Sequence, residues 1–594
     1  MSDGENEDRT LTRLAPVPAA GQPSLKKRRV LSSGGYASAQ AERQPSPSLS
    51  AHAAKRPRTV KRSTSGLKTS GLAERLFMGM GEPQAHGCNF GGGRRLATRL
   101  HSTLYHRPLL LFGETGRLGR SSLLEWYDGV SEDRLMPWRK PFSPEHHGAG
   151  EESRAALSVR AYEVWISEIM LQQTRVAVVK DYWTRWMKKW PTMADLAGAQ
   201  EDEVMAAWRG LGYYSRARRI LDAARKVVKD PARGGLLPQT AKELEDEMPG
   251  VGRYTAGAIS AIAFGNADCM VDGNVLRVLS RQLGILGDVK SDKTVIDVLW
   301  AAAQALVEAT TLERSDVGGD TGRTLPSDVP GRWGQALMEL GSTLCTPQPN
   351  CVVCPIHFTC RAFEEGRTIA AVKGLVQDDS RDVNGLADME DICGICSDWD
   401  MGTLEHPRGV AKRSKRCEQS HGDGLPPEAA EVAMLHARRF PVRIPKKAVR
   451  EEETVVCAVR RTVDGRYLIQ KRPEKGLLAG LWELPSQVLS VDRGDGSTAA
   501  SRRQTAHEFV AGLFGSKEGH GKGSIKYVGD LGSVPWVFSH LKLTMHVHSF
   551  QIEDGPDDLV VAADRTRWAD PTGVEAETMG TGMRHCWKRV VAPQ

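Results

Sequence analysis

Two carboxyl groups in this sequence of 594 residues have the type and setting that acid–base chemistry requires. Glu168 lies in the stretch EIMLQQTR, within a largely apolar, helix-forming segment at 161–190. A buried, unpaired carboxylate is costly, so such a group takes up a proton at a raised pKa. Asp272, in VDGNVLRVL, stands where a helix cap is also expected. Two carboxyls in different environments could protonate a leaving group and stabilise the resulting cation, as in glycosidic cleavage.

Cysteines offer a second kind of chemistry. The chain has 11 of them and no apolar core of a secretory signal, which predicts an intracellular protein whose clustered thiols bind metal. One tight group follows the pattern C-x5-C-x2-C-x5-C and consists of Cys345, Cys351, Cys354 and Cys360. Four thiolates so close in sequence bind either a [4Fe–4S] cluster or zinc.

A glycine-rich turn interrupts the helical pattern in MPGVGRYTAGAISAIAFG. Gly250 and Gly252 lie between two predicted helices, and glycine permits both a positive φ and the close approach of a ligand to the backbone. The amides that open the second helix suit a phosphate group. The pattern predicts a helix-hairpin-helix that grips a DNA backbone, and an ordinary turn between core helices is the alternative.

Charge is distributed unevenly along the chain. The formal net charge is +7, whereas residues 1–118 contain 19 Lys plus Arg and 8 Asp plus Glu, a net of +11, which leaves −4 for the rest. Nucleic-acid binding by the folded body must therefore be local. Basic clusters at 26–29 and 55–62 are typical of nuclear-import or nucleic-acid patches, with a merely soluble tail as the alternative.

The elements that would position these residues divide the chain into four regions. Residues 1–118, rich in Ser, Pro, Gly, Arg and Ala, predict a mostly disordered basic tail. Residues 119–368 have helical periodicity and predict an all-α domain, with a polar loop at 313–331. Residues 369–449 predict a polar linker, and alternating segments in 450–594, two of them joined by the turn DG, predict a small α/β domain. No membrane span is expected, because no run of eighteen or more apolar residues occurs.

Several motifs occur together in one order: SEIMLQQTRVAVV, WRGLGYYSRARR, PGVGRYTAGAISAIAFG, VDGNVLRVL, MELGSTLCTP, GLLAGLWELPS and FSHLKLT. On these motifs the chain resembles the adenine-DNA glycosylases of the MutY type, within the helix-hairpin-helix glycosylase superfamily. The resemblance covers 123–361 and resumes at 451. It implies a multidomain protein with an all-α glycosylase domain, an iron–sulfur loop and a C-terminal nudix-like domain.

The activity that the resemblance implies is monofunctional base excision repair. Such an enzyme hydrolyses the N-glycosidic bond of adenine opposite 8-oxoguanine or guanine in double-stranded DNA, after extruding the base. A thymine- or pyrimidine-mismatch glycosylase of the same superfamily and a non-catalytic DNA-binding scaffold are the alternatives. The resemblance also implies a nuclear monomer, with a mitochondrial form and contacts with replication or repair proteins through linker and tail left open.

The resemblance assigns roles around the reacting bond. Glu168 protonates N7 of adenine and later helps to activate water, with Trp165 and Ile169 as the apolar neighbours that raise its pKa. Asp272 stabilises the cationic sugar, and Asn274 helps to position the water or the acid.

Tyr254 occupies the position at which endonuclease III-like enzymes carry a lysine nucleophile after GVGR. A phenol cannot form the Schiff base through which such a lysine cuts the strand. We therefore expect base removal without efficient strand cleavage, with the Tyr254 hydroxyl near the reacting sugar.

Other matched residues face DNA in the family. Gln173 resembles the wedge residue that fills the space left by the extruded base, with Gln172 beside it, and Tyr213 would insert next to the opposite base. Tyr214 fits a core aromatic. Arg139, in MPWRK, matches an arginine near the adenine pocket, although a plain surface arginine explains it almost as well.

The C-terminal domain resembles a nudix fold without its catalytic acids. The residues after GLLAGLWELPS lack the acidic cluster that holds Mg²⁺, so nucleotide hydrolysis is not expected. Phe538, Ser539 and His540 match the FSH segment whose polar groups contact 8-oxoguanine, and a plain strand edge is the alternative.

Both metal motifs depart from the family pattern. The first cysteine spacing has five intervening residues instead of six and lacks a basic residue, yet a [4Fe–4S] cluster is still expected in a reshaped loop. Animal relatives carry a linker zinc held by three cysteines and a further ligand. Here Cys393 and Cys396 lack the upstream cysteine, and Cys417, His406 or His421 would have to complete a structural zinc site.

Overall fold

Helical periodicity in the middle of the chain and alternation near its end produce two bodies, one of helices and one built on a sheet. The computed structural model describes residues 69–77, 89–91, 98–148, 150–315, 326–376, 392–397, 425–444, 449–473, 476–489, 497–514, 525–538, 540–553 and 565–592. The basic clusters at 26–29 and 55–62 and part of the predicted loop at 313–331 lie outside these ranges.

The helical domain confirms the all-α prediction. Its elements, from the N-terminus, are α1 (Thr69–Phe77), a short pair β1 (Asn89–Gly91) and β2 (Thr98–Leu100), α2 (Gly113–Val130), α3 (Glu151–Leu171), α4 (Val176–Lys189), α5 (Met193–Ala197), α6 (Glu201–Ala207), α7 (Ser215–Lys229), α8 (Ala241–Glu247), α9 (Arg253–Ala263), α10 (Gly273–Gln282), α11 (Lys293–Ser315), α12 (Val329–Thr343) and α13 (Arg361–Val372). Among the described residues from 113 to 372 there is no strand.

Two apolar cores hold these helices together. The first joins α3, α4 and α7 through aromatic side chains, with Trp186 and Trp208 packed edge to face at 5.6 Å between ring centroids. The second joins α2, α10, α11 and α12 through aliphatic side chains such as Val295 and Leu299. Helix α11 is long and apolar enough to cross a membrane, but half of that stretch is buried against its neighbours, as in the core helix of a globular domain.

Glycines allow unusually close packing beside the segment that carries Asp272. A Cβ on Gly257 of α9 would lie 2.1 Å from the carbonyl oxygen of Cys269, and one on Gly341 of α12 would lie 2.7 Å from the Cβ of Asn274. Real side chains do not tolerate either distance. These two contacts bring α9 and α12 against the start of α10, which brings Asp272 close to the residues of both helices.

The predicted boundary of the disordered tail, residue 118, is wrong. Helix α1 packs Leu72 and Leu76 into the second core, and Tyr105 and Leu110 are buried in the segment before α2. Apolar side chains in 69–77 and 98–112 therefore fold onto the helical domain, although composition alone predicted disorder.

The predicted linker at 369–449 also contains structure. Helix α13 continues to Val372, and a further helix, α14 (Pro427–Ala437), packs on it so closely that a Cβ on Gly366 would lie 2.5 Å from the Cα of Ala433. The buried Arg281 donates from Nε to the carbonyl oxygens of Ala437 and Phe440, at 3.0 and 3.1 Å, and so satisfies the C-terminal end of α14.

The C-terminal domain is a mixed sheet with helices on both faces, which confirms the predicted small α/β domain. Its elements are β3 (Arg450–Arg461), β4 (Tyr467–Lys471), β5 (Trp482–Glu483), β6 (Ser486–Val488), α15 (Ala499–Leu513), β7 (Ile525–Val537), β8 (Leu541–Ile552), β9 (Thr566–Ala569), α16 (Pro571–Ala576) and α17 (Thr581–Val591). The main strand order is β5-β4-β3-β8-β7, with β3 parallel to β8 and the other neighbours antiparallel. Helix α15 packs on one face of the sheet and α17 on the other.

Candidate active site and metal centres

A cleft of about 590 Å³ opens where α3, α9, α10 and α12 meet. The predicted residues that line it are Glu168, Asp272, Asn274, Tyr254, Arg139, Gln172 and Gln173. These residues are far apart in sequence, so the fold brings together a set that the motifs predicted separately.

Glu168 lies in the last turn of α3 and is 6% exposed. The Tyr254 hydroxyl donates a hydrogen bond of 2.8 Å to its Oε2. Burial raises the pKa of Glu168 to about 7; the hydrogen bond from Tyr254 and the charge of Arg139 oppose this shift, and the charge of Asp272 adds to it. A carboxyl with this pKa can hold and release a proton near neutral pH.

The apolar surroundings of Glu168 differ from the prediction. Trp165 and Ile169 are buried in the aromatic core and do not line the cleft. Val164 and Leu171, four residues before and three after Glu168, line the cleft with it.

Asp272 serves as a helix cap and also faces the cleft. Its Oδ1 accepts hydrogen bonds from the backbone amides of Asn274 and Val275, both at 2.8 Å, and its Oδ2 accepts one from Asn274 Nδ2 at 2.7 Å. Three donors hold the carboxylate in one orientation at the N-terminus of α10. The capping and functional interpretations are thus compatible.

A chain of hydrogen bonds runs from Asp272 to the first clustered cysteine. Arg277 Nη2 donates to Asn274 Oδ1 at 2.9 Å and to the carbonyl oxygen of Gly341 at 2.7 Å, while its Nε donates to the carbonyl oxygen of Cys345 at 2.9 Å. The amide that orients Asp272 is therefore itself oriented from the cysteine loop.

Two predicted DNA-facing residues have strained backbones. Gln173 has φ of 58° and Tyr213 has φ of 49°, in the left-handed region, and both side chains are exposed. Such conformations cost roughly 1–3 kcal/mol each and persist only where surrounding contacts impose them. Tyr214 is 7% exposed, which confirms its interpretation as a core aromatic.

Arg216 hydrogen-bonds to the backbone at both turns. Its Nη1 donates to the carbonyl oxygens of Ile169 and Gln172 at the end of α3, at 2.6 and 2.8 Å. Its Nη2 donates to those of Leu211 and Gly212, at 3.2 and 3.1 Å, just before Tyr213. One planar guanidinium thus joins the two exposed turns, although it is buried, and burial lowers its pKa to about 10. The sequence analysis assigned this residue no role, because the motif WRGLGYYSRARR offers several arginines and nothing in it singles out Arg216.

The predicted helix-hairpin-helix is formed by α8 and α9. Gly250 has φ of 84°, which favours glycine, whereas Gly252 has an ordinary φ of −110° and caps α9. A Cβ on Gly252 would meet nothing within 4 Å, so the approach to the α9 amides is open. The turn can receive an anion at that end.

The tight cysteine group lines one small cavity. Cys345, Cys351, Cys354 and Cys360 face it together with Arg281, whose Nη1 donates to Cys345 Sγ at 3.2 Å. Burial, and the negative charge of the other thiolates, raise the pKa of Cys351 and Cys354 well above the usual value. A cationic metal group is what would allow these sulfurs to be thiolates together.

Cys393 and Cys396 have histidine partners that the sequence analysis did not find. Among the described residues, His101, His106, Cys393 and Cys396 bring one ligand atom each to within 4.8 Å of one another. His106 Nε2 lies 3.1 Å from Cys393 Sγ and 3.4 Å from Cys396 Sγ, and His101 Nε2 lies 3.0 Å from His106 Nε2. The candidates that the sequence suggested as completing ligands, Cys417, His406 and His421, lie outside the described residues.

This His₂Cys₂ group is already oriented for a metal. His106 Nδ1 lies 2.8 Å from the carbonyl oxygen of Leu283, which directs Nε2 toward the sulfurs. Arg99 Nη1 donates to Cys396 Sγ at 3.3 Å. The spacing H-x4-H at 101–106, beside C-x2-C at 393–396, is a zinc-ligand signal that could have been found in the sequence.

The FSH segment lies at the turn between β7 and β8. The Phe538 amide donates to the carbonyl oxygen of Leu541 at 2.7 Å, which closes the turn, and His540 is exposed. Ser539 lies outside the described residues. The segment therefore lies at the accessible end of a hairpin. A plain strand edge was the alternative interpretation of its sequence.

Two regions of the chain match known protein families. Residues 166–304 match the HhH-GPD superfamily of base excision DNA repair proteins, and residues 455–589 match the NUDIX domain family. The human protein named adenine DNA glycosylase is 36% identical over 472 residues, which cover 79% of this chain and 73% of the human one. The chain belongs to the adenine DNA glycosylase family. The rat member is 38% identical over 482 residues, covering 79% of this chain and 77% of its own.

Among solved structures, a thermostable thymine-DNA glycosylase aligns with 42% of this adenine DNA glycosylase family member and 98% of its own chain, at 24% identity and a TM-score of 0.32. The family match confirms the architecture that the motifs predicted, a helix-hairpin-helix glycosylase domain followed by a nudix-like domain.

Substitution of Arg216 tests whether its hydrogen bonds stabilise the two exposed turns. Arg216→Lys keeps a charge but cannot span four carbonyl oxygens, so both turns should lose about 1–3 kcal/mol of local stability. We expect amide hydrogen exchange at 171–175 and 210–214 to accelerate roughly 5- to 100-fold, as measured by mass spectrometry.

Arg225→Lys is the matched control, since Arg225 also lies on α7 and donates to the carbonyl oxygens of Ala197 and Ala199, away from the cleft. Its exchange change should be confined to the segment near Ala197 and Ala199. Unchanged exchange at both turns in Arg216→Lys would show that other contacts hold them.

Proposed function

We propose that the protein is a monofunctional DNA glycosylase of base excision repair that removes adenine from pairs with 8-oxoguanine or guanine. The observation that carries the proposal is the buried Glu168 carboxyl, with a pKa of about 7, in one cleft with Asp272. Membership of the adenine DNA glycosylase family supports the same substrate. The cleft is large enough to receive an extruded base.

The chemistry follows from the two carboxyls. Glu168 donates its proton to N7 of the extruded adenine, and the bond between C1′ and N9 breaks with its electron pair passing to the base. The Asp272 carboxylate, oriented by three donors, stabilises the positive charge on the sugar. Water then adds to C1′ and returns a proton to Glu168.

Tyr254 orients the acid and excludes a second reaction. Its hydroxyl donates to Glu168, which leaves the other carboxyl oxygen to carry the proton. Since a phenol forms no Schiff base with the opened sugar, the abasic strand should stay intact after base release.

Recognition of DNA has two further parts in this proposal. The hairpin at Gly250 and Gly252 offers helix amides to a backbone phosphate, while Gln173 and Tyr213 enter the duplex from turns held by Arg216. The FSH turn of the nudix-like domain reads the base opposite adenine. The basic clusters at 26–29 and 55–62 support a nuclear location.

Two metal sites complete the proposal. The four clustered cysteines would hold a [4Fe–4S] cluster, since all four line one small cavity and none of them belongs to the His₂Cys₂ group. That group would hold a structural zinc ion with tetrahedral ligands. The zinc would tie the segment before α2 to residues 392–397.

Base release from defined duplexes tests the activity. Wild-type protein should release adenine opposite 8-oxoguanine and guanine, but not thymine from a T:G pair, and strands should break only after alkali. Because the acid must be protonated, the single-turnover rate should fall about tenfold per pH unit above the pKa of about 7.

Glu168→Gln, which keeps size and polarity, should lower release by about 10²–10⁴-fold while duplex binding changes little. Thymine release from T:G in place of adenine release would favour a mismatch glycosylase of another specificity. Tight binding with no release from any duplex by the wild type would indicate a non-catalytic DNA-binding protein.

The FSH turn is tested by discrimination between opposite bases. Ser539→Ala combined with His540→Ala should reduce the preference for A:8-oxoguanine over A:G by roughly 5- to 100-fold, since such a contact to a base contributes about 1–3 kcal/mol. Val463→Ala, at the exposed turn between β3 and β4 of the same sheet, is the control and should leave the ratio unchanged. An equal ratio in both variants would move the discrimination elsewhere.

Metal analysis separates the two sites. Wild-type protein should contain about four iron atoms and one zinc ion per chain by elemental analysis. His106→Ala and Cys396→Ser should lose zinc and retain iron, whereas Cys354→Ser should lose iron. Cys269→Ser, which alters a thiol outside both groups, should retain both metals. Zinc retained in His106→Ala would contradict the His₂Cys₂ assignment.

A further inference from the structure

A third carboxyl group, Glu339 of α12, lines the same cleft as Glu168 and Asp272. It is 2% exposed, and its two oxygens bind two different arginines. Oε1 accepts a hydrogen bond from Arg134 Nη1 at 2.8 Å, and Oε2 accepts one from Arg139 Nη2 at 2.9 Å. Neither the acid–base chemistry nor the metal sites use this group.

Arg139, at this wall of the cleft, has a hydrogen-bond donor that no described residue accepts. Its Nη1 is buried and has no hydrogen-bond partner among the described residues. Its guanidinium lies over the Tyr127 ring, at 5.5 Å from the centroid, so the group is held from one side by the ring and from another by Glu339. An unsatisfied buried donor is costly, and an acceptor on a molecule in the cleft would remove that cost.

The charge of Arg139 also bears on Glu168. A nearby guanidinium favours the ionised form of a carboxyl, and Arg139 opposes the raised pKa of Glu168. The other groups facing Glu168 are Tyr254 of α9 and Asp272 of α10. Glu339 binds the arginine that opposes this rise.

Within the described part of the chain, Glu339 pairs with two arginines and lies near a tyrosine. Arg134 and Arg139 face it from the segment after α2. Burial raises the pKa of Tyr127 of α2, and the charges of Glu339 and Asp128 add to that rise. From α4, the Lys180 ammonium binds the carbonyl oxygen of Arg134. Without Glu339, Arg134 and Arg139 would lose the carboxylate that binds both of them.

We propose that Glu339 is a positioning residue of base removal: it holds Arg139 so that a free N–H meets an acceptor nitrogen of the extruded purine, and it offsets the arginine charge that would otherwise draw the proton off Glu168. The inference rests on the proposed removal of adenine. Adenine offers ring nitrogens as acceptors along its edges, as this donor requires.

The test is the pH profile of single-turnover adenine release from an A:8-oxoguanine duplex by the full-length, metal-loaded protein. In Glu339→Gln, the alkaline limb of the profile should move to lower pH by about 0.5–1 unit. Release should then be roughly 3- to 10-fold slower above neutrality and much closer to wild type in acid. Glu339→Asp, which retains the charge but misplaces it, should keep the wild-type midpoint with a lower plateau.

Glu163→Gln is the matched control. Glu163 is also a nearly buried carboxyl paired with a cation, Lys140, but it does not line the cleft. The Glu163→Gln substitution should lower the melting temperature without moving the pH profile of adenine release. This result separates a local charge effect from general destabilisation. Should Glu339→Gln prove too unstable to assay, the Glu339→Asp profile decides: a midpoint displaced from that of the wild type overturns the inference.

A Glu339→Gln profile that superimposes on the wild-type curve, or that drops by the same factor at every pH, would overturn this inference alone. A wild-type protein with no adenine release from this duplex would instead overturn the proposed function, and the inference with it. The two failures are therefore distinguishable in one experiment.

Discussion

The cost of burying one carboxyl group is the constraint on which the site depends. Glu168 is almost fully removed from water and has the Tyr254 hydroxyl as its hydrogen-bond donor at 2.8 Å. Water exclusion alone would raise its pKa, and the hydrogen bond and Arg139 limit that rise to a value of about 7. A more polar site would leave the acid ionised, and a drier one would never release the proton.

The fold supplies this balance through close helix packing. Glycines at 257 and 341 let α9 and α12 press against the start of α10, which puts Tyr254 and Asp272 beside the last turn of α3. The same packing extends through Asn274 and Arg277 to the cysteine loop. Loss of order in that loop would therefore reach the carboxylate that stabilises the sugar, although the loop takes no part in the chemistry.

Much of this arrangement could be predicted from the sequence, because the residues concerned are part of local motifs. The motifs predicted a shared site for the two carboxyls and Tyr254, and the structure brings these residues into one cleft. They also predicted the tight cysteine group, whose members line one cavity. The alternation after residue 450 predicted strands that form the sheet. The break between α3 and α4 was harder to predict. No glycine or proline marks residues 171–176, and the turn depends on Arg216, which reaches it from α7.

The contacts that composition could not predict join distant segments. His101 and His106 lie in a region that appeared to belong to the tail, and they meet Cys393 and Cys396 only because residues 98–112 fold onto the helical domain. Helix α14 was likewise hidden in a polar linker, where its alanines gave little periodicity. In the sequence, Glu339 is one acid among others on an amphipathic helix. Its pairing with Arg134 and Arg139 at the cleft is apparent only in the folded structure.

The most direct measurement is the ionisation of Glu168 itself, by difference infrared spectroscopy of the DNA-free protein against Glu168→Gln across a pH titration. A protonated carboxylic acid band that is lost with a midpoint near 7, and is absent from the variant, is the result expected here. If the group were already ionised at mildly acidic pH, with the ordinary midpoint of about 4.3 for a solvated glutamate, the account of a buried proton donor would be contradicted.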